Sequence, residues 1–316
     1  MSNPESRPLP GIRDGAAALP CVLVLMATYN GAAVIEQQLQ SILSQTGVRV
    51  RVAIGDDGSS DQTLALAQAM ATANAAALTI LRHDPPKRSA SQNFFALLAA
   101  IDTSDADFMA FSDQDDIWEP DHLARAIGEL DRTGAEFYSC NTLAFWPDGR
   151  TKALRKDFPE RRFDHLFETA SQGCTYVFRA AGGRRFADFV RGAGPALKAV
   201  EFHDWLLYAW ARTHGHAWTM DPAHRVRYRQ TRANVIGANS GLGAARRRLA
   251  MLRSGWLRTQ SLRIIAALGL DDNPVHRRLE RFRWQDRLWL AMHARQCRRR
   301  PRDAGVFAVM LILFGI

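Results

Sequence analysis

Three carboxylates occupy four consecutive positions in the stretch FSDQDDIW, residues 111–118. They belong to Asp113, Asp115 and Asp116, and like charges this close raise one another's pKa unless a cation lies among them. A hard divalent ion such as Mg²⁺ or Mn²⁺ prefers oxygen ligands, and it binds one or two carboxylates together with substrate phosphates. Capping of a helix by Asp116 or Asp121 explains one of these acids but not three. The pattern therefore favours a metal site that stabilises charge on a diphosphate leaving group.

Two further polar stretches follow apolar runs of strand length. The first is TYNG, residues 28–31, and the second is DDGSSD, residues 56–61. Taken alone, the second is typical of a turn and a helix cap. A carboxylate at the end of a parallel strand also accepts hydrogen bonds from a nucleotide. No Gly-x-Gly-x-x-Gly loop follows the first strand, which argues against NAD or FAD.

The stretch EFHDWLLYAW, residues 201–210, offers a general base. Such a base removes the proton of an attacking hydroxyl, and the stretch contains Glu201, His203 and Asp204. Asp204 also stands directly before an apolar run, where an aspartate caps a helix regardless of chemistry. The residues alone leave both interpretations open.

The elements that position these groups alternate between strands and helices. Strand patterns at 21–27, 48–55, 77–82 and 108–111 are separated by helical patterns at 32–45, 61–73 and 91–101. This order predicts an α/β fold with a mostly parallel central sheet flanked by helices. A helix at 121–132 and strands at 135–140 and 174–179 follow. Ligands of such sheets bind beyond the carboxyl ends of the strands, where the polar stretches lie.

The basic character of the chain is concentrated near its C-terminus. The whole chain has a net charge of +9, whereas residues 241–303 contain 16 arginines against 5 acidic residues, a balance of +11. These arginines lie among Leu, Ile and Trp at helical spacing, which predicts basic amphipathic helices. An anionic membrane surface and packing onto the rest of the chain are equally good explanations. Nucleic acid ranks last, because no recognised nucleic-acid module accompanies the charge.

Three segments are expected: a flexible leader at 1–20, a nucleotide-binding domain at 21–240 and a basic helical region at 241–316. The longest apolar run, residues 304–316, has thirteen residues, fewer than the roughly 18 that a spanning helix needs. We interpret it as interfacial. The cysteines are scattered, with no Cys-x-x-Cys pair, and no secretory signal precedes the first strand. These features predict a cytoplasmic protein, peripheral at the inner face of the membrane.

Together the motifs resemble glycosyltransferase family 2, whose fold is GT-A. The resemblance covers residues 21–240 and rests on seven motifs. In chain order they are VLMATYNGAAVIEQQLQSILSQ, DDGSSDQT, SQNFFALL, FSDQDDIW, GCTYVFR, FHDWLL and YRQTRANVIGAN. The wording SDQDDIW, HDW and YRQ looks most like bacterial rhamnosyltransferases that use dTDP-L-rhamnose. The resemblance implies an inverting, Mg²⁺- or Mn²⁺-dependent transfer of a sugar from a nucleoside diphosphate to a glycan or lipid-linked glycan.

The resemblance also assigns roles to individual residues. On the donor side it implies contacts with the nucleotide sugar from Thr28, Tyr29, Asn30, Asp56, Asp57, Asn93, Asp113 and Gln230. Asp115, with Asp113, would coordinate the metal, and Asp204 would be the base. Gly173, Cys174 and His203 would lie on the acceptor side.

One position departs from the family pattern, and it leaves alternatives open. Relatives usually have a histidine after YRQ, where this chain has Thr231. Gln230, Arg232 or His224 would have to substitute, or metal affinity would be weaker. A catalytically silent nucleotide-sugar-binding scaffold is therefore one alternative function. A basic nucleic-acid-binding protein is the less favoured one.

Overall fold

The computed structural model describes residues 18–74, 77–230 and 254–314. The predicted leader lies outside these ranges except for residues 18–20, and the predicted boundary near residue 240 also lies outside them. Thr231 and Arg232 fall outside the described residues as well.

Nine strands and eleven α-helices make up the described part of the chain. The strands are β1 (Cys21–Thr28), β2 (Arg49–Asp56), β3 (Leu78–Arg82), β4 (Phe108–Asp113), β5 (Ile117–Trp118), β6 (Phe137–Phe145), β7 (Thr151–Leu154), β8 (Val177–Arg179) and β9 (Trp218–Arg229). The helices are α1 (Ile35–Leu43), α2 (Thr63–Ala73), α3 (Ala90–Ala100), α4 (His122–Thr133), α5 (Ala180–Ala193), α6 (His203–Thr213), α7 (Trp256–Ala267), α8 (Pro274–Arg281), α9 (Trp284–Met292), α10 (Ala294–Cys297) and α11 (Pro301–Phe314). Short 3₁₀ helices span Asp164–Leu166, Gly173–Thr175 and Gly194–Ala199.

Strand β1 runs through the middle of the molecule, and all eight of its residues are buried. Because successive side chains of a strand point to opposite faces, β1 contributes to two separate cores. Leu23 and Leu25 pack in a core with α3, α5 and α6. Val22, Val24 and Met26 pack in a second core with α1, α2 and α4. The continuous apolar run of β1 is therefore explained by helices on both faces of the sheet.

The nine strands form one sheet in the order β3-β2-β1-β4-β8-β6-β9-β5, with β7 paired to β6. The predicted α/β fold with flanking helices is confirmed, but the parallel pairs are confined to β3, β2, β1 and β4 and to β6 with β9. In its other half, β8 is antiparallel to both neighbours and β5 is antiparallel to β9. The sheet is therefore mixed rather than mostly parallel. The strand predicted at 174–179 is also shorter, because Gly173–Thr175 form a 3₁₀ helix.

The helices α7–α11 pack against the rest of the chain. They share a core with Phe163, Leu166 and Phe167, which precede β8. Ile264 of α7 reaches the core beneath α6. The predicted C-terminal helices are thus present and attached to the sheet domain. Across the described ranges, every helix is too short or too polar to cross a membrane.

Candidate active site

Three parallel strands end at the same level, and each end carries a polar side chain. Thr28 of β1 is the register partner of Asp56 of β2, and Ala27 pairs with Asp113 of β4. The polar stretches that are up to 85 residues apart in sequence therefore meet at one edge of the sheet. This is the edge at which open α/β sheets bind ligands.

The loop after β1 is fixed by its neighbours. The Thr28 hydroxyl is buried and lies 3.3 Å from the Gly55 carbonyl oxygen, to which it donates. Asn30 accepts a hydrogen bond from the Ser60 amide at 2.8 Å through its side-chain oxygen. Its φ of 45° is in the left-handed region, which asparagine tolerates better than most residues. Tyr29 is exposed beside the cavity described below, so its ring is available to a ligand.

Asp56 and Asp57 organise two loops of this edge. The buried Asp56 carboxylate accepts hydrogen bonds from the amides of Gly58 and Ser59, at 3.2 and 3.1 Å. Asp57 accepts hydrogen bonds from the amides of Lys87 and Ser89, which belong to the loop before α3. These bonds hold the loops that border the cavity. The predicted contacts of both acids with the nucleotide stay predictions.

Asn93 of α3 is buried behind the same edge. Its side-chain amide donates to the Gly55 carbonyl at 2.7 Å, and its oxygen lies 2.9 Å from His83 Nε2. Gly55 has no side chain, and a Cβ at that position would overlap the Asn93 oxygen. Asn93 therefore ties α3 to β2, and its predicted role near the donor stays a prediction.

The acidic turn after β4 contains one carboxylate that is completely buried. Asp116 accepts a hydrogen bond from the Arg229 amide at 3.1 Å through Oδ1, while its Oδ2 has no partner among the described residues. Oxygen and sulfur atoms of Asp113, Asp116 and Cys174 lie within 4.8 Å of one another. The residues thus form a site suited to a cation. Asp116 does not cap α4, because that helix begins at His122 after Asp121.

The electrostatics of the turn favour the binding of a cation. Burial, followed by the charges of Asp115 and Asp204, raises the pKa of Asp113 to about 7. Burial, followed by the charges of Asp115 and Asp113, raises the pKa of Asp116 well above its usual range. A divalent ion would reverse both effects.

The donor atoms fit a hard ion through the carboxylates rather than the thiol. Burial raises the pKa of the Cys174 thiol well above its usual range, so the thiol is neutral. Mg²⁺ and Mn²⁺ prefer oxygen ligands, which Asp113 and Asp115 supply beside the cavity. Asp116 is the buried acid behind them.

The end of β9 closes the far side of this turn. Arg229 donates from Nε to the Asp115 carbonyl at 2.7 Å and from a terminal nitrogen to Gln37. The positive charge of Arg229 partly offsets the effect of burial, which raises the pKa of Asp115. Gln230 is buried, and its backbone amide donates to the Phe145 carbonyl at 2.9 Å. A direct contact between Gln230 and the donor stays a prediction.

The acceptor-side residues come together where α6 begins. A Cβ at Gly173 would lie 2.9 Å from the Asp204 Cβ and 3.2 Å from His203 Nε2, so only glycine lets the 3₁₀ helix approach α6 this closely. Burial raises the pKa of Asp204 to about 6, and hydrogen bonds from the Trp205 and Gly173 amides moderate the rise. At neutral pH Asp204 is therefore a carboxylate that can accept a proton.

The other two candidates for a base in this stretch are engaged elsewhere. Glu201 pairs with Arg263 at 2.6 Å and accepts a hydrogen bond from Trp256, both on α7. His203 stacks on Phe94 with ring centroids 3.7 Å apart, and burial lowers the pKa of its imidazole to about 3. The contacts that His203 makes are packing contacts, and the role of His203 towards the acceptor stays a prediction.

A cavity of about 620 Å³ lies over this edge, within the usual size range of ligand sites. Six predicted site residues line it: Thr28, Tyr29, Asp57, Asn93, Asp113 and Asp115. The other seven do not: Asn30, Asp56, Gln230, Gly173, Cys174, His203 and Asp204.

Two residues that the sequence analysis missed also line the cavity. Arg88 is an exposed cation with a φ of 58°, in the loop before α3. A signal was present, because two basic residues stand just before a predicted helix that follows a strand. Gln114 exchanges two hydrogen bonds with the Tyr29 backbone, at 2.9 and 3.0 Å. This contact joins the loop after β1 to the acidic turn, and no sequence signal indicated it.

Known proteins with similar sequences show the family of this chain. A family model described as glycosyl transferase family 2 matches residues 23–189. The dTDP-rhamnosyl transferase RfbG of Shigella flexneri is 36% identical over 288 residues, which cover 91% of this chain and 99% of RfbG. The chain belongs to glycosyl transferase family 2. Members of this family are transferases, and the chain is therefore a glycosyltransferase with a GT-A-like fold.

More distant relatives match this glycosyltransferase over shorter stretches. The succinoglycan biosynthesis protein ExoO of Rhizobium meliloti is 30% identical over 51% of this chain and 44% of ExoO. Among solved structures, S. aureus TarS in complex with UDP aligns with a TM-score of 0.51 and 15% identity, over 90% of this chain and 82% of that one. At this identity the structural match supports the fold alone.

Proposed function

We propose that this glycosyltransferase moves L-rhamnose, with inversion, from dTDP-L-rhamnose to a glycan or lipid-linked glycan at the cytoplasmic face of the membrane. The donor assignment is supported by the similarity to RfbG, which extends over nearly the full length of both chains. One observation supports the chemistry most directly. The cavity at the sheet edge has carboxylates of Asp113 and Asp115 on its wall, and the charge of Asp204 contributes to the raised pKa of Asp113.

In the proposed reaction, Asp204 accepts the proton of the acceptor hydroxyl as the hydroxyl oxygen attacks the anomeric carbon of the sugar. The bond between that carbon and the diphosphate oxygen breaks, and its electron pair leaves with the diphosphate. Thr28, Tyr29 and Asp57, which line the cavity, would hold the nucleotide. Burial of the Asp204 carboxyl group matches its basicity to neutral pH.

Mg²⁺ or Mn²⁺ would be held by Asp113 and Asp115, and when bound it would neutralise charge on the diphosphate. Asp116 supports this assignment, because its Oδ2 has no hydrogen-bond partner among the described residues and a carboxylate oxygen of Asp116 lies within 4.8 Å of one of Asp113. With the ion bound, the carboxylates of the turn would have a counter-charge.

Transfer from dTDP-L-rhamnose, measured with and without EDTA, tests the proposal. We expect EDTA to abolish transfer, Mn²⁺ to restore it, and Asp113→Asn to be inactive. Asp188→Asn is the matched control, because Asp188 is an exposed acid that pairs only with Arg191 among the described residues. Nucleotide binding without turnover, across a panel of donors and acceptors, would instead support the scaffold alternative. Full activity in EDTA would contradict the metal assignment.

A further inference from the structure

Helix α9 exposes a row of large apolar side chains. Trp284, Leu288 and Met292 are spaced four residues apart, so they lie on one face of the helix. Trp284 and Met292 are 67% and 68% exposed. The opposite side of α9 is held in the core by Leu290. The exposed row is therefore not a packing surface of the helix within the described chain.

Helix α11 exposes a second row. Val306, Val309 and Leu313 lie on its outer face, while Phe307 and Leu311 are buried in the core shared with α9. Of the nine large apolar side chains that are exposed in the described ranges, seven belong to α9 and α11. Scattered exposed apolar residues are ordinary, but such a concentration marks an interaction surface.

The two rows are joined at one end. Arg287 of α9 donates a hydrogen bond to the Ile312 carbonyl of α11 at 3.0 Å. Leu288 follows Arg287 directly, and Ile312 is itself half exposed. The rows therefore adjoin, and we call their combined surface the α9/α11 face, formed by Trp284, Leu288, Met292, Val306, Val309, Ile312 and Leu313.

Arginines flank the apolar rows along the chain. Arg281 and Arg283 precede Trp284, Arg295 follows Met292, and Arg302 is the second residue of α11; all four are exposed. Arg281 and Arg302 also pair with the neighbouring Asp286 and Asp303. Residues 274–314 contain ten arginines and three acidic residues, a balance of +7. The partner must therefore accept apolar side chains and a belt of cations at once.

We infer that the α9/α11 face docks the protein on an anionic lipid bilayer. The apolar rows would enter the boundary between head groups and acyl chains, and the arginines would contact anionic head groups. Tryptophan is favoured at that boundary. A second copy of the chain fits less well, because a symmetric contact would bring the same arginines together. The helix α7 is not part of this surface, since Arg263 and Trp256 are engaged by Glu201.

Vesicle flotation of the full chain tests the inference, without donor or acceptor. Vesicles that mix phosphatidylcholine with phosphatidylglycerol should bind the protein, and salt or pure phosphatidylcholine should weaken the binding. The variant Trp284→Glu/Met292→Glu should lose about tenfold or more of its affinity for the vesicles. Gln285→Glu is the control for added charge, because it introduces one of the two glutamates at an exposed position of α9 outside the apolar row, and it should bind nearly like wild type.

The double variant and the control change only exposed positions, so both should keep the melting temperature of wild type. An unchanged melting temperature would show that they are folded. Equal vesicle binding by the double variant and the control would overturn the inference. The inference would also be overturned if the wild-type protein were a dimer that binds no vesicles and the double variant were a monomer. A second copy of the chain would then cover the face. Transfer to a soluble acceptor, measured separately, should be unaffected by the double variant, so the two proposals can fail independently.

Discussion

Two groups of buried acidic residues in this glycosyltransferase differ in how their charge is balanced. Asp164 is fully buried, accepts hydrogen bonds from the Tyr208 hydroxyl at 2.7 Å and from Arg212 at 3.0 Å, and lies 3.4 Å from Arg299. Burial alone would raise its pKa, but a hydrogen bond from His165 and the charge of Arg212 outweigh that effect and lower it. The protein itself satisfies this acid.

The acids of the turn after β4 are not satisfied in this way. The pKa of Asp113 is raised to about 7, and that of Asp116 is raised well above its usual range, because burial and neighbouring carboxylates are not offset by a cation of the described chain. The comparison teaches that a buried acid with cationic partners supports the fold, whereas a buried acid without them indicates a ligand. Substitutions in the two groups should therefore have opposite signatures.

The largest effect is expected at Asp204, whose raised pKa suits a proton acceptor. Asp204→Asn should lower kcat by about 10³-fold, because general base catalysis is lost, and leave the KM for the donor nearly unchanged. Steady-state kinetics with dTDP-L-rhamnose would measure this. Asp188→Asn should match wild type. A loss confined to KM would contradict the assignment of Asp204 as the base.

The pH dependence of the wild-type enzyme gives a second signature of Asp204. A base acts in its deprotonated form, so kcat/KM should fall as the pH drops through about 6 and level off above it. The profile should be recorded at saturating Mn²⁺. A rate that stays constant from about pH 5 to about pH 8, a range that brackets the pKa of Asp204, would show that another group removes the proton.

Stability should separate the two groups of acids next. Asp164→Asn should lower the free energy of unfolding by about 3 kcal/mol, because Arg212 would keep only Glu160 as a counter-charge and the buried Arg299 only Glu168. Urea denaturation would measure this. Asp188→Asn breaks only an exposed pair and should change the free energy by no more than about 0.5 kcal/mol. Equal stability of Asp164→Asn and wild type would remove the structural half of the comparison.

Unlike Asp164→Asn, Asp116→Asn should not lower the free energy of unfolding. In EDTA the neutral amide replaces a desolvated acid that lacks a cation, so the variant should be as stable as wild type or more stable by about 1 kcal/mol. With Mn²⁺ present, wild type should gain stability and the variant should gain less. Differential scanning fluorimetry with and without Mn²⁺ measures both. A variant destabilised in EDTA as strongly as Asp164→Asn would show that Asp116 is structural.

The smallest effect is expected at the contact between the loop after β1 and the acidic turn. A Cβ at Gly31 would overlap the Gln114 side chain, so Gly31→Ala should displace it from the Tyr29 backbone. Gly31→Ala and Gln114→Ala should each raise the donor KM by about fivefold, since two exposed hydrogen bonds are lost.

The double variant should be no worse than either single variant, because both remove the same contact. Gly192→Ala is the control, since a Cβ there meets open space. Additive effects of the two substitutions would show that Gly31 and Gln114 act independently.

The sequence predicted the parts of the molecule that depend on local pattern. The continuous apolar run of β1 and the polar residues after β1, β2 and β4 were enough to predict parallel strands and a ligand site at their ends. The family resemblance then supplied the order of motifs and the residues to examine. Asp204 needed that resemblance, because capping explained it equally well.

The rest depends on contacts between distant residues, which no local pattern encodes. The mixed half of the sheet arises because β8 and β6 pair antiparallel across a connection of about thirty residues. Arg299 lies 131 residues from Glu168, to which its amide donates, so the buried ion network had no sequence signal. The exposed rows of α9 and α11 likewise emerged only once the buried faces of both helices were known.

A crystal of the protein grown with Mn²⁺ and the dTDP-sugar donor, measured at the manganese absorption edge, tests the central claim most directly. We predict one anomalous peak beside the carboxylates of Asp113 and Asp115, with the donor diphosphate as its remaining ligand. A donor that occupies the cavity while the peak is missing, or lies at another part of the chain, would contradict the account.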